Sequence, residues 1–421
     1  MDQLTSTLSD FIFAQLRKFS GPGSKSLEGG IGGVSKSNLK PQSQQIAVDL
    51  IKEALASGLP LQATDITGAP LKGGNTAEFV GLISLRAPFV LKMDAEKVKL
   101  ANEGIAIRTI KNNTNLSQNF RDAWPTVYAV RTQPPYAYLM EVFPKEDGWV
   151  SLEDRLYPAG KEQALGLNQG GRFINGVLDI LLDGYQDSLD RRYHSSLMED
   201  YVKRISERLI ATAEKDARFA SKEILVNGEH RRPWKEYLVL LSQNASYLAK
   251  ISAPFTTVVH GDPNPGNLML RVTDAKVELK LIDPKEWISG DYLFDVCKIT
   301  HFLEGTGPAE KPANGVLVKA SFTSEDKQNR LSYDINQPAW TASLVAACLD
   351  RTKDFASKNG DTYWDNRYKL GMAANLLGLP LNRLDKGKED SALILYGEGL
   401  KWLHRFCSEM ESDIASPEAA K

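Results

Sequence analysis

The stretch that decides the fold reads VVHGDPNPGNLML over residues 258–270 and ends, after a mixed segment, in KLID over residues 280–283. An apolar run enters this stretch, as expected for a strand. Pro263 and Pro265 then exclude a regular helix or a strand ladder and force a compact loop. The alternating segment that follows predicts a second strand, which delivers Asp283 at its end. The sequence therefore predicts a strand, a rigid loop, a hairpin and a carboxylate, in that order.

Three polar residues of this stretch suit phosphoryl transfer. That reaction needs a carboxylate that orients the attacking hydroxyl, and oxygen ligands that hold Mg²⁺ on the phosphates of a nucleotide. Asp262 is the candidate for the orienting carboxylate. Asn267 and Asp283 are candidates for the metal ligands, because Mg²⁺ prefers oxygen and takes few protein ligands. The predicted hairpin matters because it folds Asp283 back beside the other two residues.

The spacing of these residues resembles that of a known family. Asp262 and Asn267 lie five residues apart and follow His260, as in the catalytic loop of protein kinases. The fuller string, with GDYLFDV over residues 290–296, is similar to the aminoglycoside phosphotransferase and choline kinase-like family of small-molecule kinases. Pro284 stands where a protein kinase carries the Phe of its Asp-Phe-Gly motif, so the regulated protein-kinase version is not expected.

The resemblance implies a fold, an activity and a set of ligands. The expected fold is α+β, bilobal and protein-kinase-like, with a small antiparallel β-sheet N-lobe and a mainly helical C-lobe. The expected ligands are ATP and Mg²⁺, and the expected acceptor is a hydroxyl of a small molecule such as a sugar, an amino alcohol or an aminoglycoside. The resemblance identifies Asp262 as the catalytic base and Asn267 and Asp283 as the Mg²⁺ ligands.

A lysine and a glutamate in the first third of the chain are candidates for binding the nucleotide. Lys92 ends an apolar predicted strand, where burying an ammonium without a partner would be costly. In the kinase scheme such a lysine binds the phosphates and pairs with a glutamate of the next helix. Glu103 lies in the middle of the helix predicted for residues 95–111. The simpler alternative is a strand-end lysine that reaches solvent.

Two further segments are candidates for nucleotide contacts. Gly73 and Gly74 lie in a predicted hairpin, and a glycine turn lets main-chain amides approach phosphates, although an ordinary hairpin has the same composition. Glu141, Val142 and Phe143 end the fifth predicted strand, where kinases cross to the large lobe and offer main-chain atoms to adenine. An edge strand that leads to a linker is the alternative for this segment.

Residues around the loop have supporting roles in this interpretation. His260 is expected to be scaffold, with its ring hydrogen-bonded to nearby backbone. Asp291 and Asp295 resemble the structural acids that tie their segment to the catalytic loop, and a helix N-terminal carboxylate is the alternative for Asp291. Lys285 and Glu286 come just after the predicted metal ligand and are placed to face the substrate.

Composition excludes several classes of protein. The 421 residues carry a formal net charge of −2, with 42% hydrophobic and 25% charged residues, which is the balance of a soluble globular chain without a basic field for nucleic acid or membrane. No run reaches the roughly twenty apolar residues that a membrane helix requires. The three cysteines lack metal or redox spacing, which favours a reducing, cytoplasmic location. No nucleic-acid or membrane partner is expected.

The order of patterns predicts three parts. Residues 1–60 are expected to form an N-terminal helical extension with a Gly/Ser-rich linker. Residues 61–143 are expected to form the nucleotide-binding N-lobe, a β-sheet plus a helix. Residues 144–421 are expected to form the helical C-lobe with the catalytic loop and the substrate site.

Two other functions stay open. A catalytically silent, nucleotide-binding scaffold would use the same fold, although such pseudokinases commonly lose one of the polar positions that are present here. A metal hydrolase would take His260, Asp262 and Asp283 as ligands, but it would need more histidines nearby than His301 alone. The residues leave the identity of the acceptor open.

Overall fold

The computed structural model describes residues 41–56, 65–70, 81–86, 89–158, 167–273, 276–286, 289–311, 318–324, 328–335 and 337–416. These residues form two compact units. The first unit comprises the described residues up to Asn112 together with Pro125–Phe143, and the second comprises Asn113–Trp124 and the described residues from Pro144 onward. The expected turn at Gly73 and Gly74 lies outside the described residues, as does most of the expected N-terminal extension.

The first unit is a small sheet unit with helices. Its elements in the described residues are α1 (Pro41–Ala56), β1 (Asp65–Pro70), β2 (Gly81–Arg86), β3 (Val90–Asp94), α2 (Lys99–Asn112), β4 (Val127–Arg131) and β5 (Tyr136–Met140). β1 and β2 pair antiparallel, and β3, β5 and β4 form an antiparallel sheet in that order. The sequence predicts a five-stranded small lobe. The five strands are present, but among the described residues they pair as two separate sheets, because no ladder joins β2 to β3.

The three-stranded sheet lies between α1 and α2. Successive side chains of β5 point to opposite faces, as the pleat of a strand requires. Ala137 and Leu139 are buried in an apolar cluster with Leu50 of α1. Tyr138, between them, contacts Glu103 of α2 on the other face. Full burial of a side chain such as Leu139 is worth roughly 1.5–3 kcal/mol, so α1 is part of what stabilises this unit.

Close packing brings α2 onto the sheet. A Cβ atom built on Gly104 would lie 3.0 Å from Cβ of Tyr138 and 3.1 Å from Cγ2 of Val130. A residue larger than glycine would therefore require the side chains of Tyr138 and Val130 to shift by a few tenths of an ångström. Glycine at this position lets the neighbouring Glu103 reach the polar end of Tyr138.

Helices dominate the second unit, and the expected fold class, α+β with a small sheet unit before a mainly helical one, is confirmed. Among the described residues the helices are α3 (Gln118–Asp122), α4 (Leu152–Leu156), α5 (Leu167–Asp187), α6 (Lys203–Lys215), α7 (Trp234–Gln243), α8 (Ala245–Lys250), α9 (Tyr292–His301), α10 (Gly307–Glu310), α11 (Thr341–Lys358), α12 (Trp364–Leu377), α13 (Pro380–Asp385) and α14 (Glu389–Ala415). Within this part of the chain, no helix has both the length and the apolarity that crossing a membrane requires.

Three small sheets complete the second unit. Its described strands are β6 (Trp149–Ser151), β7 (Glu223–Val226), β8 (Glu229–Arg231), β9 (Thr257–Val258), β10 (Leu268–Val272), β11 (Val277–Leu281), β12 (Ser289–Gly290), β13 (Ala320–Ser324) and β14 (Gln328–Tyr333). The predicted hairpin of β10 and β11 is present, and β6 pairs with the free edge of β10. β12 pairs with β9, on either side of that hairpin in the chain.

A four-stranded sheet in the second unit was not predicted. β13, β14, β7 and β8 pair in that order, and β14 runs parallel to β7. The turn between β7 and β8 consists of Asn227 and Gly228, with φ values of 49° and 85°. Two successive residues with positive φ make the tight hairpin turn that Asn-Gly favours. That dipeptide was a local signal for strands in a segment where the sequence analysis expects helices.

Helix α9 is the central helix of the site. All of its residues, Tyr292–His301, are buried. A helix that is buried all round normally carries apolar residues only. α9 nevertheless contains Asp295 and Lys298 and is capped by Asp291. Their contacts explain how the helix tolerates these charges.

Candidate active site

The loop between β9 and β10 is held in one conformation by its own residues. Gly261 has a φ of 79°, in the left-handed region that favours glycine. Asn264 closes the next turn, because its Oδ1 accepts a hydrogen bond from the N–H of Gly266 at 3.2 Å. A short 3₁₀ turn, Pro265–Asn267, leads into β10. The prolines and glycines that predict a compact loop thus form one.

Asp295 of α9 binds the start of this loop. Its Oδ2 accepts the N–H of His260 at 2.7 Å, and its Oδ1 accepts the N–H of Gly261 at 2.7 Å. The hydroxyl of Tyr185 donates a third hydrogen bond at 2.9 Å. Burial raises the pKa of Asp295 to about 6, although the hydrogen bonds from His260, Tyr185 and Gly261 oppose this shift. The expected tie between Asp295 and the loop is confirmed.

His260 is a neutral scaffold residue. Its ring stacks on Trp124 with 5.5 Å between centroids. Nε2 lies 2.9 Å from the carbonyl oxygen of Ile282, and Nδ1 lies 3.2 Å from the N–H of Asp262. The ring therefore donates from Nε2 and accepts at Nδ1. Because burial lowers the pKa of His260 to about 4, the ring is uncharged at neutral pH. The expectation that it bonds to nearby backbone is confirmed.

Asp262, Asn267 and Asp283 are brought together by hydrogen bonds of the loop and the hairpin. Nδ2 of Asn267 donates to the main-chain oxygen of Asp262 at 2.9 Å. The N–H of Ile282 donates to the main-chain oxygen of Asn267 at 3.0 Å, which places the residue before Asp283 against the loop. Asp283 itself has a φ of 58°. A non-glycine residue in this region is strained, and such residues concentrate at functional sites.

Two lysines surround the carboxylate of Asp262. Nζ of Lys298 lies 3.0 Å from Oδ1, and Nζ of Lys285 lies 3.4 Å from Oδ2. Burial by itself would raise the pKa of Asp262, but the charges of Lys298 and Lys285 outweigh it and lower the pKa to about 2. Burial lowers the pKa of Lys298, and the charge of Asp262 opposes that shift. Asp262 is therefore ionised at neutral pH, and its carboxylate lies between the side-chain nitrogens of Lys298 and Lys285.

Sequence reasoning places Lys285 near the substrate but misses Lys298. The side chain of Lys298 is only 7% exposed. Its signal in the sequence is a lysine inside an otherwise apolar turn, between Cys297 and Ile299, on the helix that also carries Asp295. A cation at such a position is buried and needs a carboxylate partner. The sequence does not identify which carboxylate that is.

The contacts of Asp291 differ from the expectation. Its Oδ1 caps α9 by accepting the N–H of Leu293 at 3.1 Å, and its Oδ2 lies 2.8 Å from Nε of Arg367 on α12. Arg367 also binds Asp361, whose Oδ1 lies 2.8 Å from Nη1. The prediction that Asp291 ties α9 to the catalytic loop is wrong, since its described contacts anchor the helix start to α12. The alternative, a helix N-terminal carboxylate, is what the structure has.

The expected ion pair of the first unit is present. Nζ of Lys92 lies 2.9 Å from Oε1 of Glu103, whose side chain is only 6% exposed. The hydroxyl of Tyr138 donates to the same oxygen at 3.0 Å. The ammonium of Lys92 also lies 5.2 Å from the centre of the Tyr138 ring. Lys92 is thus held by a carboxylate and an aromatic face rather than extended into solvent.

The segment predicted to contact adenine starts with a residue that is already bonded within the first unit. The N–H of Glu141 donates to the carbonyl of Thr126 at 2.9 Å, and Oε2 of Glu141 accepts the N–H of Thr126 at 2.9 Å. The N–H of Glu141 is therefore not available to a ligand. Val142 and Phe143 follow the end of β5 and are partly exposed.

The side chains of Asn267 and Asp283 offer oxygen donors of the kind that Mg²⁺ prefers. Within the described ranges, no cluster of three or more His, Cys, Asp or Glu residues could hold a metal ion. Mg²⁺ usually binds one or two protein oxygens together with phosphate oxygens and waters. One amide oxygen and one carboxylate meet that requirement. A three-ligand hydrolase site has no counterpart in this part of the chain.

The comparisons with known proteins give remote structural similarities. No family model and no curated protein matches the sequence. Similar solved structures include a glucosamine kinase, with a TM-score of 0.41, 13% identity and coverage of 78% of this chain and 74% of that chain. An ethanolamine kinase of Plasmodium vivax has a TM-score of 0.43 and 10% identity over 91% of this chain and 96% of that chain.

A third similar structure is a thermostable mutant of an aminoglycoside phosphotransferase in ternary complex with AMP-PNP and hygromycin B. Its TM-score is 0.44, with 13% identity over 82% of this chain and 94% of that chain. The function of this chain has to be derived from its own residues.

Proposed function

We propose that this chain is an ATP- and Mg²⁺-dependent phosphotransferase that moves the γ-phosphoryl group to a hydroxyl of a small molecule. One observation carries the proposal. Nδ2 of Asn267 donates to the main-chain oxygen of Asp262, and the N–H of Ile282 donates to the main-chain oxygen of Asn267, so the backbone of the ionised Asp262 lies beside that of Asn267, and Asn267 lies beside the residue before Asp283. Phosphoryl transfer depends mainly on positioning and on charge, and a rigid set of oxygens is suited to both.

In the proposed reaction Asp262 orients the acceptor. The hydroxyl oxygen attacks the γ-phosphorus, the bond from that phosphorus to the bridging oxygen breaks, ADP leaves, and the hydroxyl proton passes to the carboxylate of Asp262. A carboxylate with a pKa of about 2 is a weak base. This weak base suffices because the transition state of phosphoryl transfer is loose, so the acceptor hydroxyl needs to lose little of its proton before the phosphoryl group transfers. The main work of Asp262 is therefore to hold the hydroxyl in line.

Asn267 and Asp283 would hold Mg²⁺. The ion, when bound, neutralises charge on the phosphates. The hydrogen bond from Nδ2 of Asn267 to the carbonyl of Asp262 leaves Oδ1 as the ligand atom. The strained backbone of Asp283 is consistent with a residue retained for its carboxylate rather than for stability.

Residues of the first unit would bind the nucleotide. We assign Lys92, oriented by Glu103, to the phosphates, and we assign Gly73 and Gly74, which lie outside the described residues, to the same group. Val142 and Phe143 would offer main-chain atoms to adenine. Glu141 keeps a role in this contact only through its carbonyl, since its N–H is bonded to Thr126.

A silent nucleotide-binding scaffold is the second candidate function. One observation favours it: each carboxylate oxygen of Asp262 lies within 3.4 Å of a lysine ammonium, Lys298 on one side and Lys285 on the other. A carboxylate that is neutralised in this way would bind a hydroxyl less strongly. For Asp262 to orient a hydroxyl, Lys285, the more exposed of the two lysines, has to move away from Oδ2 of Asp262.

The test measures binding and turnover separately. Calorimetry would record ATP binding with Mg²⁺, and ADP formation would be followed with a panel of hydroxyl metabolites. Asp262→Asn should lower ADP formation at least about 100-fold and leave ATP affinity nearly unchanged. Asp385→Asn, at an exposed carboxylate that pairs with Lys215, is the matched control and should change neither.

The three outcomes differ. ADP formation that depends on Asp262 supports the kinase. ATP binding without ADP formation from any member of the panel supports the scaffold. If the parent chain binds no nucleotide with Mg²⁺, both functions are wrong.

A further inference from the structure

Lys298 is a buried cation with few hydrogen-bond partners among the described residues. It lies on α9, which is buried along its whole length, and its side chain is 7% exposed. Its side-chain contacts among the described residues are Oδ1 of Asp262 at 3.0 Å and the face of the Phe294 ring, 5.9 Å from the ring centre. An ammonium carries three N–H donors. One carboxylate oxygen and one ring face are few partners for a group that is so costly to remove from water.

Three cationic side chains lie around Asp262. One carboxylate faces two ammonium groups, those of Lys298 and Lys285, within 3.4 Å. The guanidinium of Arg204 adds repulsion on Lys298, and its buried Nε has no hydrogen-bond partner in the described part of the chain. The ammonium of Lys298 has more N–H donors than partners, and the guanidinium of Arg204 has an unpaired Nε, so both groups are suited to an additional anion beside Asp262.

Holding the loop does not require Lys298. Asp295 stands one turn earlier on α9, and residues three apart share a helix face. It already binds the loop through the N–H groups of His260 and Gly261, each at 2.7 Å. The loop is therefore fixed to α9 by main-chain contacts that are independent of the Lys298–Asp262 pair.

Resting on the proposed function, we infer that Lys298 is a catalytic residue that binds an oxygen of the transferring γ-phosphoryl group while it holds Oδ1 of Asp262. One ammonium then links the carboxylate that orients the hydroxyl to the group that the hydroxyl attacks. The bonds made and broken are those of the phosphoryl transfer, and Lys298 keeps its protons throughout. Oδ2 of Asp262 is left for the acceptor once Lys285 has moved away from it.

The test compares ATP with ADP, because only ATP carries the γ-phosphate. Calorimetry with Mg²⁺ would measure both affinities for the parent chain, Lys298→Met and Lys298→Gln. The glutamine keeps one donor for Oδ1 of Asp262 without the charge. Since a hydrogen bond to a charged group is lost, both variants should bind ATP about tenfold more weakly and bind ADP as the parent does.

Lys369→Met is the matched control. The side chain of Lys369 is also 7% exposed and pairs with Asp365 at 2.6 Å and with Glu409. Removing it takes away a buried, paired lysine of the same unit that has no proposed ligand. The control should leave the ratio of ATP to ADP affinity unchanged.

Each result has one meaning. A loss confined to ATP supports the inference. Equal weakening of ATP and ADP, or no weakening in a folded variant, overturns it, and so does the failure of both Lys298 variants to fold, because Lys298 would then serve the core alone. A parent chain that binds neither nucleotide instead overturns the proposed function.

Discussion

The side-chain amide of Asn267 donates a hydrogen bond to the main-chain carbonyl of Asp262, with 2.9 Å between the two atoms. This residue therefore closes the loop and, in the proposed function, also supplies a metal ligand. The nitrogen and the oxygen of one amide point in different directions, so the bond to Asp262 turns Oδ1 away from that carbonyl. The two roles can be separated by substitution.

Replacing Asn267 with Ala should raise the requirement for Mg²⁺. The variant loses a proposed ligand oxygen, and the Mg²⁺ concentration for half-maximal ADP formation should rise at least about tenfold. A magnesium titration at saturating ATP measures it. Asn264→Ala removes another side-chain hydrogen bond of the loop, the one from the N–H of Gly266 at 3.2 Å, but no proposed ligand. Equal effects of the two variants would mean that loop geometry, not metal binding, is what Asn267 provides.

Replacing Asp295 with Asn should destabilise the second unit at neutral pH. The side-chain amide has one acceptor for the two N–H groups of His260 and Gly261, so its Nδ2 must face a donor. Leaving a buried donor unpaired costs about 1–3 kcal/mol. Urea unfolding at pH 7 measures the free energy of unfolding of the parent and of the variant. A variant as stable as the parent would show that the two hydrogen bonds do not hold the loop.

The same variant should change the pH dependence of stability. Burial holds the pKa of Asp295 at about 6 in the folded chain, above the roughly 3.9 of an unfolded aspartate. Between these values the folded chain binds more protons, so the contribution of Asp295 is complete below about pH 4 and is lost as the pH rises through 6. The difference in unfolding free energy between parent and Asp295→Asn should therefore shrink from pH 4 to pH 7. A difference that stays constant contradicts the shift.

Replacing Lys92 with Met should weaken nucleotide binding, and Glu103→Gln should do so by a similar factor. Each removes one side of a pair whose atoms lie 2.9 Å apart, and ATP affinity should fall about tenfold in either variant. The double variant should be no weaker than the single ones, because the two residues act as a unit. Calorimetry with ATP and Mg²⁺ measures this.

Tyr138→Phe is the control for that pair. It removes the hydroxyl that donates to Glu103 at 3.0 Å and keeps the ring beside Lys92. ATP affinity should stay that of the parent, with a loss of about 1 kcal/mol in stability. A tenfold loss of affinity here would assign the effect to packing in the first unit.

Replacing Arg367 with Met should be strongly destabilising. The side chain of Arg367 is fully buried and binds Asp291 and Asp361, so its removal leaves two buried carboxylates without their cation. Breaking a buried pair in this way costs about 3–5 kcal/mol. Chemical unfolding measures this loss as the decrease in the free energy of unfolding. Arg351→Met removes a surface pair with Asp179 and should cost less than about 1 kcal/mol. Similar losses in both variants would contradict the assignment of Arg367 to the core.

The parts of the site that could be predicted are those that local sequence determines. Prolines and glycines set the loop, alternation sets the hairpin, and together they bring Asp262, Asn267 and Asp283 to one place. His260 was predictable as scaffold because a histidine before a tight loop has main-chain groups close by. The Lys92–Glu103 pair was implied by the resemblance to kinases, applied to the predicted order of strand and helix.

The remaining features depend on contacts between distant segments. Lys298 meets Asp262 because α9 packs under the loop, and no spacing rule connects the two positions. Asp291 was assigned to the wrong partner for the same reason, since Arg367 reaches it from α12. The sheet of β13, β14, β7 and β8 joins strands that are far apart in the chain, although the Asn227-Gly228 turn was a local sign of one hairpin.

Helix α1 has a practical consequence for work with this protein. Its Ile46, Leu50 and Ala54 cover Ala137 and Leu139. A shortened protein that starts at residue 61 would lack α1 and would expose the hydrophobic surface around Ala137 and Leu139 to water, so it would tend to aggregate on expression. Anyone trimming the gene should keep the codons from Pro41 onward.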